Sequence, residues 1–106
     1  MSNNDTFIQR SLISQLSNVL NAIDAIEIEV VTHGYGIDLL LNDTAFKKDI
    51  LALHGQGVRF MACKNTLEED KITEEDLLDV TEIIPTGLGH VITRQSEGWS
   101  YIKATF

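Results

Sequence analysis

Cysteine, proline and tryptophan are scarce in this chain, and it also lacks long apolar runs. Its 106 residues include one cysteine, one proline and one tryptophan. A single cysteine excludes an intrachain disulfide, so we expect a reducing, cytoplasmic compartment. The sequence has no run of about 18 apolar residues, which argues against a membrane-spanning helix. Its opening residues, MSNNDTFIQR, lack the basic and apolar regions of a secretory signal.

Basic residues are also scarce. The sequence has 16 Asp and Glu residues against 8 Lys and Arg residues, which gives a net charge of -8. This charge repels phosphate backbones and anionic lipids, so neither nucleic acid nor a membrane surface is an expected partner. Residues 68–82, called the acidic segment below, contain eight of the 16 acids. The calcium-loop spacing is absent there, so we expect a solvated loop and helix start. A weak influence on partner choice is the alternative.

The length and the apolar content together predict one folded domain over residues 1–106. Hydrophobic residues make up 43% of the sequence, which is an ordinary fraction for a globular protein. A chain of this size forms a single domain. It buries only about two-thirds of the surface that its unfolded chain exposes. We therefore expect self-association.

Apolar side chains recur at helical spacing in some segments and at strand spacing in others. The predicted helices cover residues 6–23, 45–54 and 88–96, with a short helical turn from residue 65, and the predicted strands cover residues 26–32, 58–62, 80–84 and 99–104. Strands that alternate with helices predict an α/β fold with right-handed crossovers. Its sheet is expected to be mainly parallel and covered on both faces.

Residues with useful chemistry follow three of the predicted strands. His33 follows the first strand, Cys63 the second, and residues 87–90 (GLGH) the third. In a parallel sheet, ligands bind at the carboxyl ends of the strands. We therefore expect these residues to lie at one edge of the sheet.

Cys63 has two interpretations. A free cysteine is often a small buried hydrophobic residue. If a helix begins at Asn65, however, its free backbone N–H groups point back toward the sulfur and stabilise a thiolate. Lys64 adds positive charge next to it. A thiolate attacks sulfur or binds a soft metal.

Other site chemistries have less support from the sequence. A cysteine hydrolase needs a paired histidine, and His33 and His90 are candidates without a signature spacing. The same two histidines and Cys63 are a conceivable zinc site, but no CxxC or HxxxH pair supports it, so no metal ligand set is predicted. A turn-capping role is the alternative for His33 and for His90. The glycines at 87 and 89 fit a tight turn better than a phosphate loop, and no cofactor is predicted.

Three segments carry a family resemblance. They are residues 29–37 (EVVTHGYGI), 57–67 (GVRFMACKNTL) and 87–103 (GLGHVITRQSEGWSYIK). In these segments the sequence resembles DsrE/DsrF-like proteins of the YchN-like fold, and in particular a small-protein branch of that family whose functions are mostly uncharacterised. The resemblance covers most of residues 7–103.

The resemblance implies a three-layer α/β/α fold with a mainly parallel sheet of four to five strands, assembled into a homo-oligomer (a trimer or a hexamer). Better-understood relatives carry sulfur as a persulfide on a cysteine that Cys63 matches. They pass this sulfur between partner proteins in sulfur oxidation or tRNA thiolation. The chain would then be a sulfur carrier or sulfurtransferase with a donor or acceptor protein as its partner.

The resemblance and the residues together predict a site centred on Cys63. Cys63 is the expected catalytic residue, and the expected binding residues are His33, Asn65, Thr66 and His90. The alternative function is a non-catalytic module that binds a small ligand or another protein.

One departure from the family pattern concerns the start of the chain. Family members begin with a strand before the first helix, whereas only residues 1–6 precede that helix here. That strand lies inside the family's sheet, and a gap there would leave backbone groups unpaired. We expect either that the chain is truncated relative to the family or that another segment fills the gap, for which residues 104–106 or a neighbouring subunit are candidates.

Overall fold

The computed structural model describes residues 6–103, apart from the side chain of residue 35. Its helices are α1 (Thr6–Ala22), α2 (Lys47–Gly55), α3 (Lys64–Glu69) and α4 (Gly87–Ser96), and its strands are β1 (Glu29–Thr32), β2 (Arg59–Cys63) and β3 (Thr81–Ile84). Short 3-10 helices cover Gly34–Leu40 and Glu74–Asp76. The predicted α/β fold is confirmed, and the predicted helices and first three strands are found with small shifts at their ends.

The sheet is parallel and has the order β1-β2-β3. Its register places Met61 beside Val31 and Cys63 beside Ile84. Successive residues of a strand point to opposite faces of the sheet. Phe60 and Ala62 therefore share one face, while Met61 and Cys63 share the other.

The face of Phe60 and Ala62 packs on the main apolar core. Buried side chains of α1, α2 and the first 3-10 helix join it: Ile13, Leu16, Ile37, Leu39, Leu40, Ile50 and Leu53. Phe60 itself is fully buried. Complete burial of a side chain of this size contributes about 1.5–3 kcal/mol. Hydrophobic burial therefore holds α1 and α2 against this face of the sheet.

The predicted strand over residues 99–104 is wrong for the part that the structure describes, because residues 99–103 are not in a strand. The Trp99 N–H donates to the Arg94 carbonyl at 3.0 Å. The Arg94 guanidinium also lies 4.9 Å from the centre of the Trp99 ring. The segment is thereby tied to the end of α4, and Tyr101 and Ile102 are exposed. Within residues 6–103 the sheet has three strands, not the four to five predicted.

The sequence predicted that the family's first strand is missing, and this prediction concerns the ends of the chain, which the structure does not describe. Residues 1–5 and 104–106 lie outside the described range. The expectation that the tail or another subunit fills a gap in the sheet therefore stays a prediction. None of the helices in residues 6–103 is long and apolar enough to cross a membrane.

The acidic segment is largely solvent-exposed, as predicted. Within it, the Thr73 N–H donates to the Asp76 carboxylate at 2.9 Å, and together they form a capping box for the second 3-10 helix. Such reciprocal bonds satisfy backbone donors that would otherwise be free at a helix start. Part of the acidic charge thus stabilises the local backbone.

Ile50 and Leu51 are adjacent on α2, and one packs in the core while the other lies at the surface. Ile50 is fully buried, whereas Leu51 is 43% exposed. We expect Ile50→Ala to lower the free energy of unfolding by about 2–5 kcal/mol, because it leaves a cavity. Leu51→Ala should change it by less than roughly 1 kcal/mol. Urea unfolding of both variants measures the difference, and equal losses would contradict the assigned core.

Candidate functional site at Cys63

Cys63 lies where the chain passes from β2 directly into α3. It is the last residue of the strand and also the N-cap of the helix, with no loop between them. The first N–H groups of a helix have no partner within the helix. The backbone donors of this first turn are therefore available to the Cys63 sulfur.

The start of α4 packs directly against Cys63. A Cβ atom on Gly87 would lie 3.5 Å from the Cys63 Cβ, 3.7 Å from the His33 Cβ and 3.3 Å from a methyl group of Val31. The contact with Val31 is tighter than an ordinary one, so a side chain at residue 87 would require that methyl group to shift slightly. The ends of all three strands therefore meet around the Cys63 sulfur.

Four donors near Cys63 favour its thiolate form. They are the backbone N–H groups of Asn65, Thr66 and Gly87 and the Thr66 hydroxyl. The Gly34 N–H in turn donates to the Thr66 hydroxyl oxygen at 3.1 Å. This bond leaves the hydroxyl hydrogen free to point at the sulfur and ties the segment after β1 to the site.

The pKa of the Cys63 thiol reflects two opposing effects. Burial raises the pKa, because it disfavours the charged thiolate. The hydrogen bonds from Thr66, Gly87 and Asn65 lower it by a greater amount, so the pKa lies below its ordinary value. A thiolate is the nucleophilic form of cysteine. The surroundings of Cys63 therefore favour its reactive form.

Cys63 is buried without being part of the apolar core. Its exposed fraction is 6%, and it lies outside the main cluster of buried apolar side chains. Of the other predicted binding residues, His33 and Asn65 are exposed and Thr66 is half-buried. The sequence left two interpretations open, and the structure combines them: the thiol is largely covered, yet polar donors surround it.

The His90 side chain is engaged at a different place. Its Nε2 atom lies 2.7 Å from the Glu29 carboxylate, and Glu29 is the first residue of β1, whereas His33 follows the last. The structure therefore brings His33, Asn65 and Thr66 to Cys63 but gives His90 a partner at the opposite end of the strand.

Glu29 is a functional candidate that the sequence reasoning missed. Its side chain is only 4% exposed. Arg94 makes two bonds to the carboxylate, at 3.0 and 2.8 Å, and Arg59 makes one at 2.9 Å. A buried charge is tolerated only when it is paired in this way. The signal in the sequence was a glutamate at an inward-facing position of a predicted strand.

Opposing effects also set the pKa of Glu29. Burial raises the pKa of the carboxyl, but the hydrogen bonds and positive charges of Arg94 and His90 outweigh burial and bring it below its usual range. The partner guanidinium responds in the opposite sense, because its bonds to Glu29 and Glu97 raise the pKa of Arg94. Glu29 and Arg94 are therefore both charged at neutral pH.

No metal centre is formed by the residues that the structure describes. Within residues 6–103, no three His, Cys, Asp or Glu side chains are arranged to hold a metal ion. The zinc site of Cys63, His33 and His90, which the sequence left as an alternative, is therefore not assembled.

Thr66 allows a direct test of the donors around the sulfur. Thr66→Val keeps the shape of the side chain and removes the hydroxyl, so we expect the pKa of the Cys63 thiol to rise by roughly one unit. Thr66→Ser keeps the donor and should leave the pKa close to that of the wild type. The measurement is the pH dependence of iodoacetamide alkylation at Cys63. Equal values for both variants would contradict the role of the hydroxyl.

Glu29 makes stability depend on pH in a predictable direction. Its folded-state pKa lies below the ordinary value of 4.5, so its contribution is present above that value and is lost as pH falls through the folded-state pKa. The wild-type protein should have a lower free energy of unfolding at acidic pH than at neutral pH. We expect this difference to be smaller in Glu29→Gln, as measured by urea unfolding. Glu97→Gln, at an exposed ion pair, should change this pH dependence little. A Glu29→Gln variant with the wild-type pH dependence would contradict the assignment.

Comparisons with known proteins agree with this fold. A family model described as the DsrE/DsrF-like family matches residues 7–104. The chain is also similar to a solved structure, the protein of unknown function MTH1491 from Methanobacterium thermoautotrophicum. The two share 39% sequence identity with a TM-score of 0.90, over 92% of this chain and 88% of that chain. Among curated proteins, none matches this chain.

Proposed function

Because the chain belongs to the DsrE/DsrF-like family, we propose that it is a sulfur carrier that holds sulfane sulfur as a persulfide on Cys63. The observation that carries the proposal is the position of Cys63 at the starts of both α3 and α4, where donors from Asn65, Thr66 and Gly87 lower the pKa of its thiol. Donors of this kind stabilise a thiolate, which is the form that attacks sulfur. The same donors stabilise the thiolate that Cys63 becomes when it is the leaving group in the release of the sulfur.

The transfer steps follow the rules of thiol–disulfide exchange. The Cys63 thiolate attacks the outer sulfur of a donor persulfide, R–S–SH. A new S–S bond forms to Cys63, the S–S bond of the donor breaks, and the donor leaves as its thiolate, R–S⁻. In the second step an acceptor thiolate attacks the outer sulfur of the Cys63 persulfide and releases Cys63 as a thiolate. No net oxidation or reduction occurs in either step.

The site residues have separate roles in this proposal. The backbone N–H groups of Asn65 and Thr66 stabilise the charge on Cys63, and the exposed imidazole of His33 is available to the incoming sulfur. His90 is given no contact with the sulfur, since its ring is hydrogen-bonded to Glu29. The small exposed fraction of Cys63 implies a donor that presents its sulfur through a narrow opening.

The proposal extends to the assembly and the place of action. Leu88 and Ile92 lie one turn apart on α4 and are 71% and 58% exposed. Exposed apolar side chains of this kind are typical of contact surfaces. We propose a cytoplasmic homo-oligomer, a trimer or a hexamer, of domains with the family's three-layer α/β/α arrangement. A donor or acceptor protein would be its partner.

Mass spectrometry tests the proposed carrier directly. We expect incubation with a sulfane-sulfur donor, such as glutathione persulfide or inorganic polysulfide, to add the mass of one sulfur atom to the intact chain. Cys63 is the single cysteine, so the site of addition is unambiguous, and Cys63→Ser should gain nothing. Dithiothreitol should remove the added mass.

Two results would count against the carrier function. They are the absence of a dithiothreitol-sensitive sulfur adduct and a measured Cys63 thiol pKa near the ordinary value of about 8.5. The first alone would leave a reactive thiol without the expected cargo, which also contradicts the proposal as stated.

A non-catalytic interaction module is the second candidate function. The observations that favour it are the burial of Cys63 and the exposure of the acidic segment, which offers a surface to a basic partner. In that case Cys63→Ser should leave partner binding and oligomer size unchanged, as measured by light scattering and by pull-down. Loss of binding in this variant would count against the module.

A further inference from the structure

Helix α4 is held to the sheet by little apolar packing. Gly87 is the buried residue among those of α4. Val91 is half-buried, and Leu88 and Ile92, which are one turn apart, are mostly exposed. Hydrophobic burial of the kind that fixes α1 and α2 is therefore weak here. Another interaction must set the position of α4 on the sheet.

Bonds to a single buried carboxylate provide that interaction. His90 and Arg94 both reach Glu29 from α4. The His90 contact is 2.7 Å long, and Arg94 makes a bidentate contact at 3.0 and 2.8 Å. Arg59 of β2 completes the arrangement from the sheet side at 2.9 Å. A bidentate arginine–carboxylate pair fixes the relative orientation of the two groups in addition to pairing their charges. Glu29 therefore joins α4 to β1 and β2 at one place.

The same helix places a donor on the Cys63 sulfur. Gly87, the first residue of α4, packs against Cys63, with 3.5 Å between their Cβ positions, and its backbone N–H favours the thiolate. It lies three residues before His90 and seven before Arg94. With a rise of about 1.5 Å per residue, the donor and the Arg94 anchor are about 10 Å apart along one rigid element. Hydrogen bonds weaken steeply when their angle or distance changes. A shift of α4 would therefore be felt at the sulfur.

We propose that Glu29 is a positioning residue for the Cys63 site: its buried carboxylate anchors α4 through His90 and Arg94 and thereby keeps the Gly87 N–H directed at the sulfur. This inference rests on the proposed function of Cys63 as a sulfur carrier. Glu29 does not touch the sulfur, because the length of β1, about 13 Å at 3.3 Å per residue, separates them.

The charges near Glu29 and near the Cys63 sulfur determine the sign of the expected change in the pKa of the thiol. Glu29 faces Arg59, His90 and Arg94, and these arginines also pair with Glu82 and Glu97. The residues that flank the sulfur are His33 and Lys64. Removing a negative charge stabilises a nearby thiolate, so the direct electrostatic effect of Glu29→Gln is a lower pKa of the thiol. Loss of the Gly87 donor has the opposite effect.

The experiment measures the pH dependence of iodoacetamide alkylation at Cys63 in the full chain. For Glu29→Gln we expect the pKa of the thiol to rise by roughly one unit, which is a tenfold smaller ratio of thiolate to thiol at neutral pH. Glu82→Gln is the matched control. It removes the same charge and its bonds to Arg59, but these bonds run to β2 and not to α4, so the pKa should stay equal or fall slightly.

A second variant keeps the test decisive if Glu29→Gln does not fold. Arg94→Lys retains the positive charge and loses the bidentate contact, so it should also raise the pKa of the thiol. Circular dichroism and thermal unfolding establish which variants are folded. A folded variant of either kind with the wild-type pKa would overturn the positioning role.

The outcome separates this inference from the proposed function. A wild-type thiol with an ordinary pKa and no sulfur adduct overturns the sulfur-carrier function. A wild-type thiol with a lowered pKa that stays unchanged in folded Glu29→Gln or in folded Arg94→Lys overturns only the positioning role of Glu29. A lower pKa in Glu29→Gln also overturns it, because only the direct electrostatic effect would then remain.

Discussion

The direct contact between the first residue of α4 and the last residue of β2 is the constraint on which the site depends. A Cβ on Gly87 would lie 3.5 Å from the Cys63 Cβ and 3.3 Å from a methyl group of Val31, so the backbone of α4 begins in direct contact with β1 and β2. Since α3 also begins directly after Cys63, backbone groups from two helices surround one sulfur. Backbone donors cannot rotate away, and the polar surroundings of the thiol are therefore set by the fold itself.

The two faces of the sheet are held by different forces. One face packs on a continuous apolar cluster, which is held by the hydrophobic effect and tolerates small displacements. The other carries the Glu29 carboxylate, whose burial is unfavourable unless its arginine and histidine partners are correctly placed. This second arrangement is directional and intolerant of displacement. The face that is held by directional bonds is also the face that carries Cys63.

Local patterns predicted the elements of this fold but not all of their partners. Apolar spacing predicted the helices and the first three strands, and the rule that ligands bind at strand ends singled out Cys63. The alternation in residues 99–103 also resembles a strand, yet Trp99 is bound to Arg94, so the segment forms no ladder. Likewise, no local pattern pairs Glu29 with Arg94, which is 65 residues away in sequence. Such pairs follow from the packing of α4 and become visible only in three dimensions.

The cover that Gly87 provides also limits oxidation of the thiol. A disulfide between two copies of this chain would require the two Cys63 Cβ atoms to approach within about 4 Å of each other. The backbone of α4 already occupies the space next to that atom, and Cys63 is only slightly exposed. A second protein backbone cannot enter there, whereas a single terminal sulfur atom is far smaller. For the proposed carrier, the fold would therefore discriminate by size between oxidative cross-linking and the uptake of one sulfur atom.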